Sequence, residues 1–120
     1  MQIAVNLSSI ISREFHQFDY IVSNPPFNTD FSDSRDELAD EKHKKRFFAG
    51  VPNIPNKDVD KMAIYLMFLQ HIISSLDEKA KAAIVVPTGF LTASKRSSKI
   101  AYAIREHLVK NKMLRGVISM

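Results

Sequence analysis

The chain contains no cysteine. That excludes a disulfide framework and any metal site built on thiolates, and it is compatible with a reducing, cytoplasmic setting. Its four histidines, His16, His43, His71 and His107, are scattered and show no metal-ligand spacing, so no metal is expected. The longest apolar run, Met62 to Leu69, ends at Gln70 and His71, far short of a bilayer span. The start carries no basic region followed by an apolar core, so no secretory signal is read there. There is no internal repeat and no low-complexity segment. Glycine is scarce: Gly50, Gly89 and Gly116 are all there are, and none lies in a Gly-x-Gly turn. What remains is ordinary for one small globular domain, with 45% hydrophobic and 25% charged residues in 120. The net charge of +4 weakly favours an acidic partner such as nucleic acid.

The most informative stretch is Phe18-Asp19-Tyr20-Ile21-Val22-Ser23 followed by Asn24-Pro25-Pro26-Phe27. The first six residues read as a buried strand, rich in aromatic and β-branched side chains. Pro25 and Pro26 stop it, because neither has an N–H to give to a sheet and each holds the preceding residue extended. The result is a rigid loop at the carboxyl end of a strand, where open α/β sheets bind ligands. Asn24 offers an amide oxygen, Pro25 a fixed carbonyl and Phe27 a flat apolar ring. Two acceptors and a ring suit a planar group bearing an NH₂, such as the exocyclic amine of adenine. Accepting both N–H bonds favours the pyramidal amine, whose lone pair is then free to attack a methyl donor. The competing reading is an ordinary Asn-Pro-Pro turn.

Elsewhere the pattern is coarser. Residues 1–17 allow either a short strand over Ile3, Val5 and Leu7 or a helical turn after Ser8 and Ser9. Residues 28–57 form a long polar segment, with a short helix expected over Arg35 to Lys45 capped by Asp33 or Ser34. It carries the densest basic patch, Lys42 to Arg46, beside Phe47 and Phe48. That patch suits phosphate contact and base stacking, or a solvated loop whose two Phe enter the core, which is the reading favoured. Following the motif directly, the segment is the natural candidate for a mobile lid. A buried helix is expected from about Lys61 to Leu76, capped by Asp58 or Asp60. A solvated turn over Asp77 to Lys81 and a fully buried strand over Ala82 to Val86 come next. Pro87-Thr88-Gly89 ends that strand, and Thr88 either lines the pocket or only makes the turn. A helix with Ile100, Ile104, His107 and Leu108 on one face follows, then a last strand over Leu114 to Ser119. Strand, helix, strand, helix, strand argues for α/β with a parallel sheet.

Asn24 to Phe27 after this strand resembles the catalytic motif of amino-methyltransferases that use S-adenosylmethionine. The longer run from Phe18 to Asn28 most resembles the methylase subunits of type I restriction-modification systems, which methylate adenine N6 in DNA. Leu69 to Leu76 with Ala82 to Leu91, and Ile104 to Leu108 with Leu114 to Ile118, resemble the elements that follow in that family. The resemblance implies a partial Rossmann-like methyltransferase fold with Asn24, Pro25, Pro26 and Phe27 as catalytic residues. It implies S-adenosyl-L-methionine as cofactor, DNA as substrate and specificity and restriction subunits as partners. It also places the Gly-rich cofactor half ahead of the motif, so residues 1–120 read as the catalytic-motif portion of a methyltransferase domain, with the cofactor-binding residues unknown. RNA or protein-glutamine methylation, and a non-catalytic assembly module, are the alternatives. The chain alone is expected to be inactive and, through exposed sheet edges, to self-associate. Titration calorimetry of S-adenosylmethionine into the 120-residue chain should give no heat of binding; saturable binding would show that the cofactor site needs no Gly-rich turn.

Overall fold

The fold is set by a strand whose alternate residues face different surroundings. In the computed structural model, which describes residues 18–119, β1 (Phe18–Ser23) pairs in parallel with β2 (Leu76–Ile84). Ser23 and Ile21 turn toward the packed side, whereas Phe18, Tyr20 and Val22 are 52%, 77% and 53% exposed. The expected burial of this strand therefore holds for one face only. Among the described residues the sheet has two strands, and the other face has nothing packed on it.

The segment Asp77 to Lys81, expected as a turn before a strand, lies inside β2. The register explains both readings. Phe18 is opposite Leu76, but Tyr20 is opposite Lys81, so the ladder slips between them. Asp77, Glu78 and Lys79 are exposed in that slip, and the polar residues bulge out of the ladder without ending it. Ala82 and Ala83, expected to be buried, are exposed because they too belong to the open sheet.

Between the strands the chain crosses over through α1 (Ser32–Leu38), two 3₁₀ turns (Glu41–His43 and Val59–Lys61) and α2 (Tyr65–Ser75). After β2 come a single turn, α3 (Gly89–Thr92), and α4 (Lys99–Lys110). The layout is α/β, a parallel sheet with flanking helices. The helix expected over residues 35–45 is shorter and starts earlier. Asp30 Oδ1 accepts from Ser32 N at 3.0 Å and Ser32 Oγ at 2.6 Å, which turns the chain into α1, and no side chain caps the helix itself. The first 3₁₀ turn, Glu41–His43, is capped by Asp40, which accepts from Lys42 N. The end of the chain differs most. Leu114 to Ser119 is not a strand: Leu114, Val117 and Ile118 are exposed and no strand among the described residues lies beside them. A β-prone sequence without a neighbour has no ladder to join. Residues 1–17, with their two open readings, lie outside the described residues.

α2 is apolar nearly all round because it serves two cores. Its Met67 meets Phe31, Leu38, Phe47, Met62 and Ile64 from the insertion. Its Tyr65, Leu66 and Leu69 meet Phe90, Ala101 and Ile104 from the other side. Three polar residues on the same helix then fasten the insertion. Gln70, fully buried, accepts from Ala49 N at 2.9 Å and donates to Gly50 O at 2.9 Å. Ser74 Oγ donates to Arg46 O at 2.9 Å. Arg46 donates to His71 Nδ1 at 2.6 Å. On the outer side Arg35 donates to the carbonyl of Pro52 and to Asn53 Oδ1. Residues 28–57 are thus a packed and hydrogen-bonded layer over α2, which does not match a lid hanging free. Of its two Phe, Phe47 is buried and Phe48 is 37% exposed against the His107 ring.

His71, for which the sequence offered no partner, has one in Arg46. A guanidinium only donates, so Nδ1 must be unprotonated. Burial, and then the neighbouring Arg46 charge, push the His71 pKa down to about 4. The unfolded value is about 6.5, so unfolding takes up a proton between these limits. The stability held by the neutral ring is complete above about pH 6.5 and is lost as pH falls toward 4. Urea unfolding should show a lower midpoint at pH 5 than at pH 7, and His71→Asn should shrink that difference; an unchanged difference would place the pH dependence elsewhere.

Candidate functional site

Asn24, Pro25, Pro26 and Phe27 all lie where β1 leaves the sheet, and the structure brings the four together as one short loop. The ladder continues to its edge, with Val85 N donating to Ser23 O at 3.1 Å. Pro25 is buried and Pro26 half-buried, so the two rings anchor the loop, while Asn24 is exposed. Phe27 is 37% exposed. The loop is fixed from beyond as well: Thr29 N donates to Met62 O at 3.0 Å, and Tyr65 N donates to Phe27 O at 3.4 Å.

That last bond answers a question about α2. No side chain caps its start: Ile64 is at the cap position, and neither Asp58 nor Asp60 reaches it. One of the orphan N–H groups of its first turn finds the Phe27 carbonyl instead. The start of α2 and the motif therefore hold each other.

The ring of Phe27 is placed by partners that sequence reading did not find. Phe27 meets Tyr65 edge-on at 6.3 Å and 69°. Tyr65 meets Phe90 edge-on at 6.2 Å and 89°. Such T-shaped contacts are each worth about 0.5–1.5 kcal/mol beyond burial. Burial also raises the Tyr65 hydroxyl pKa, so the phenol stays neutral. Behind Phe90, Arg105 donates to the carbonyls of Phe90 and Ala93. Tyr65 counted in the sequence as one more apolar position of a helix, and nothing in the linear pattern ties it to residue 27. Thr88, the other candidate wall residue, is exposed at the start of α3 and caps nothing with its side chain.

The loop can present an amide oxygen and a half-open aromatic face to a planar group. A cavity of about 40 Å³ lies inside the insertion core among Phe31, Leu38, Phe47 and Met67. A groove of about 350 Å³ runs along Leu38 to Glu41 and Phe47 to Val51. Neither is lined by the motif. Among the described residues no three His, Cys, Asp or Glu side chains cluster in a way that could hold a metal ion, and no helix is long and apolar enough to cross a membrane. The basic patch Lys42 to Arg46 does not join the loop. It is fastened to the Ser74 end of α2, roughly 13 Å along the helix from Tyr65 at 1.5 Å per residue. Arg46 and His43 are buried there, leaving Lys42, Lys44 and Lys45 outside.

The α/β layout, a parallel two-stranded sheet flanked by helices, is consistent with a partial methyltransferase fold. The comparison with known families agrees: residues 3–120 match the N-6 DNA methylase family, and the chain belongs to it. A methylase of this kind needs a methyl donor. The chain is similar to the type I restriction enzyme MjaIX methylase subunit of Methanocaldococcus jannaschii, 28% identical over 102 residues. That alignment covers 85% of this chain and 17% of the relative, so the chain spans about a sixth of that protein's length. No solved structure matches the chain.

The difference in exposure between Phe27 and Tyr65 separates a ring kept for packing from one kept for contact. Tyr65→Leu should lower the unfolding free energy by about 1–3 kcal/mol, through lost contacts to both neighbours. Phe27→Leu should cost less than about 1 kcal/mol. Equal losses in urea unfolding would mark Phe27 as a core residue.

Proposed function

We propose that the chain is the catalytic-motif portion of an adenine-N6 DNA methyltransferase acting within a type I restriction-modification system. The observation that carries this is the loop itself: an exposed Asn24 and a half-exposed Phe27, anchored by buried Pro25, at the carboxyl end of β1 in a chain of the N-6 DNA methylase family. The name of the relative supports the type I assignment, and with it DNA as substrate and specificity and restriction subunits as partners in the cytoplasm.

In this reading the target adenine leaves the duplex stack and lies against Phe27. Asn24 Oδ1 and the Pro25 carbonyl accept the two N–H bonds of N6. The amine lone pair, no longer spread into the ring, is turned outward for transfer. Pre-placed acceptors lower the barrier because they need not reorganise as charge develops. Tyr65 and Phe90 keep the stacking ring in place during the exchange. S-adenosyl-L-methionine is the donor implied by the resemblance. Neither of the two cavities described above is lined by the loop, and the sequence has no Gly-x-Gly turn to approach the donor. In this reading the chain provides the base-facing wall and is inactive alone. The open face of β1, with Phe18, Tyr20 and Val22, supports self-association of the isolated chain.

The test is methyl transfer by the longer methylase to an adenine-containing duplex. Asn24→Ala should lower kcat by about 10²–10³, the usual loss for one transition-state hydrogen-bond partner, with the fold unchanged. Retained activity would remove Asn24 from the chemistry.

A further inference from the structure

Two groups of exposed cations stand on different segments of the chain. Lys42, Lys44 and Lys45 belong to the segment fastened to the Ser74 end of α2. Asp40 and Glu41 precede them in the chain, and Glu41 pairs with Lys44 at 3.1 Å, so much of that charge is already balanced. Lys95, Arg96 and Lys99 lead into and begin α4, whose Ala101 and Ile104 pack with Tyr65, Leu66, Leu69 and Phe90. Their turn follows Ala93, whose carbonyl Arg105 holds together with that of Phe90. Phe90 meets Tyr65, and Tyr65 meets Phe27. Phe90, whose carbonyl Arg105 holds together with that of Ala93 ahead of this turn, is two aromatic contacts from the motif.

The two groups also differ in their surroundings. From Lys79 to Arg105 the sequence has no carboxylate. Lys95, Arg96 and Lys99 are exposed, and none forms an ion pair among the described residues. The nearest following acid, Glu106, pairs with Lys110 at 2.5 Å, and Lys95 also acts on that carboxylate without pairing with it. The turn is nonetheless ordered. Ser94 and Ser97 exchange hydrogen bonds, Ser98 N donates to Ser94 O at 2.9 Å, and Ser98 Oγ accepts from Ala101 N at 3.2 Å. The Lys95 ammonium lies 5.9 Å above the Tyr102 ring. Like charges grouped in one turn, with a single nearby carboxylate shared between Lys95 and Lys110, are only partly balanced. A polyanion that replaces its small counterions with these cations completes the balance and gains their release.

We propose that the turn Ser94–Lys99 contacts the phosphate backbone of the DNA whose adenine is received at Asn24–Phe27. DNA as the polyanion rests on the reading of that loop given above. Lys95, Arg96 and Lys99 each neutralise a phosphate, fixing position on the duplex without reading its sequence. The more conspicuous cluster at Lys42–Lys45 takes no part.

The experiment is fluorescence anisotropy of a labelled DNA duplex with the 120-residue chain across a salt series. Replacing both Lys95 and Arg96 by Ala should lower the slope of log affinity against log salt by about two and weaken low-salt binding about tenfold or more. Replacing Lys44 and Lys45 by Ala should change neither. All four side chains are exposed, and circular dichroism checks that folding is kept. An unchanged slope for the Lys95/Arg96 variant, equal losses in both variants, or no salt-dependent binding by the unsubstituted chain overturns the proposal. So does binding to polyglutamate as tight as to the duplex, which would indicate an acidic protein as the occupant. The two readings separate cleanly. If Asn24→Ala abolishes methyl transfer while the Lys95/Arg96 variant keeps its slope, only the phosphate contact falls. If the slope drops while Asn24→Ala transfers normally, only the loop's chemistry falls.

Discussion

The amide of Gln70 holds the fold together at the point where it is least regular. Its oxygen accepts from Ala49 N, and its NH₂ donates to Gly50 O and to Leu66 O one turn back. The side chain is wholly out of water. There an unmade bond costs the full desolvation of each group, about 1–3 kcal/mol. Gln70 therefore permits one path for the chain over α2. With Ser74 and His71 it turns a long polar insertion into a layer with its own apolar core. A loop of this length without elements is uncommon in a compact domain; here the backbone polar groups that a loop would leave to water are given partners by one helix.

That constraint reaches the motif through α2. The insertion packs on one side of the helix and α4 and β2 on the other, so the helix has little freedom to shift. Its first turn then takes the Phe27 carbonyl as its missing acceptor, and its Tyr65 ring braces Phe27. A stacking surface has to be open on one face and fixed on the other. The half-exposure of Phe27 against the buried Tyr65 provides both. Buried Pro25 does the same for the backbone, leaving Asn24 in the open at the end of a strand.

Electrostatics sets the cations of the molecule apart. The buried cation Arg46 and the neutral His71 lie near the carboxyl end of α2, where they serve packing. Lysines outside them are matched in part by Asp40 and Glu41. Lys95, Arg96 and Lys99 form no ion pair among the described residues.

The sequence by itself determined the strand Phe18–Ser23, its stop at two prolines, the buried α2, the α4 stripe from Ile100 to Leu108 and the family. The elements rest on local chemistry: β-branched and aromatic side chains, missing N–H groups, or a repeat of 3.6 residues; the family rests on the resemblance of the run from Phe18 to Asn28 and of the elements after it. Tertiary structure alone decided the rest. Pairing with β1 drew Asp77 to Lys81 into a strand, because a ladder partner outweighs turn-forming composition. Leu114 to Ser119, equally strand-like in composition, stayed out because no neighbour met it. Gln70 and His71 looked like interruptions of an apolar helix until Ala49, Gly50 and Arg46 arrived from 20 to 25 positions away. Tyr65 became the brace of Phe27 in the same way. Long-range hydrogen bonds and ring contacts join residues whose separation along the chain carries no period, so no linear pattern announces them.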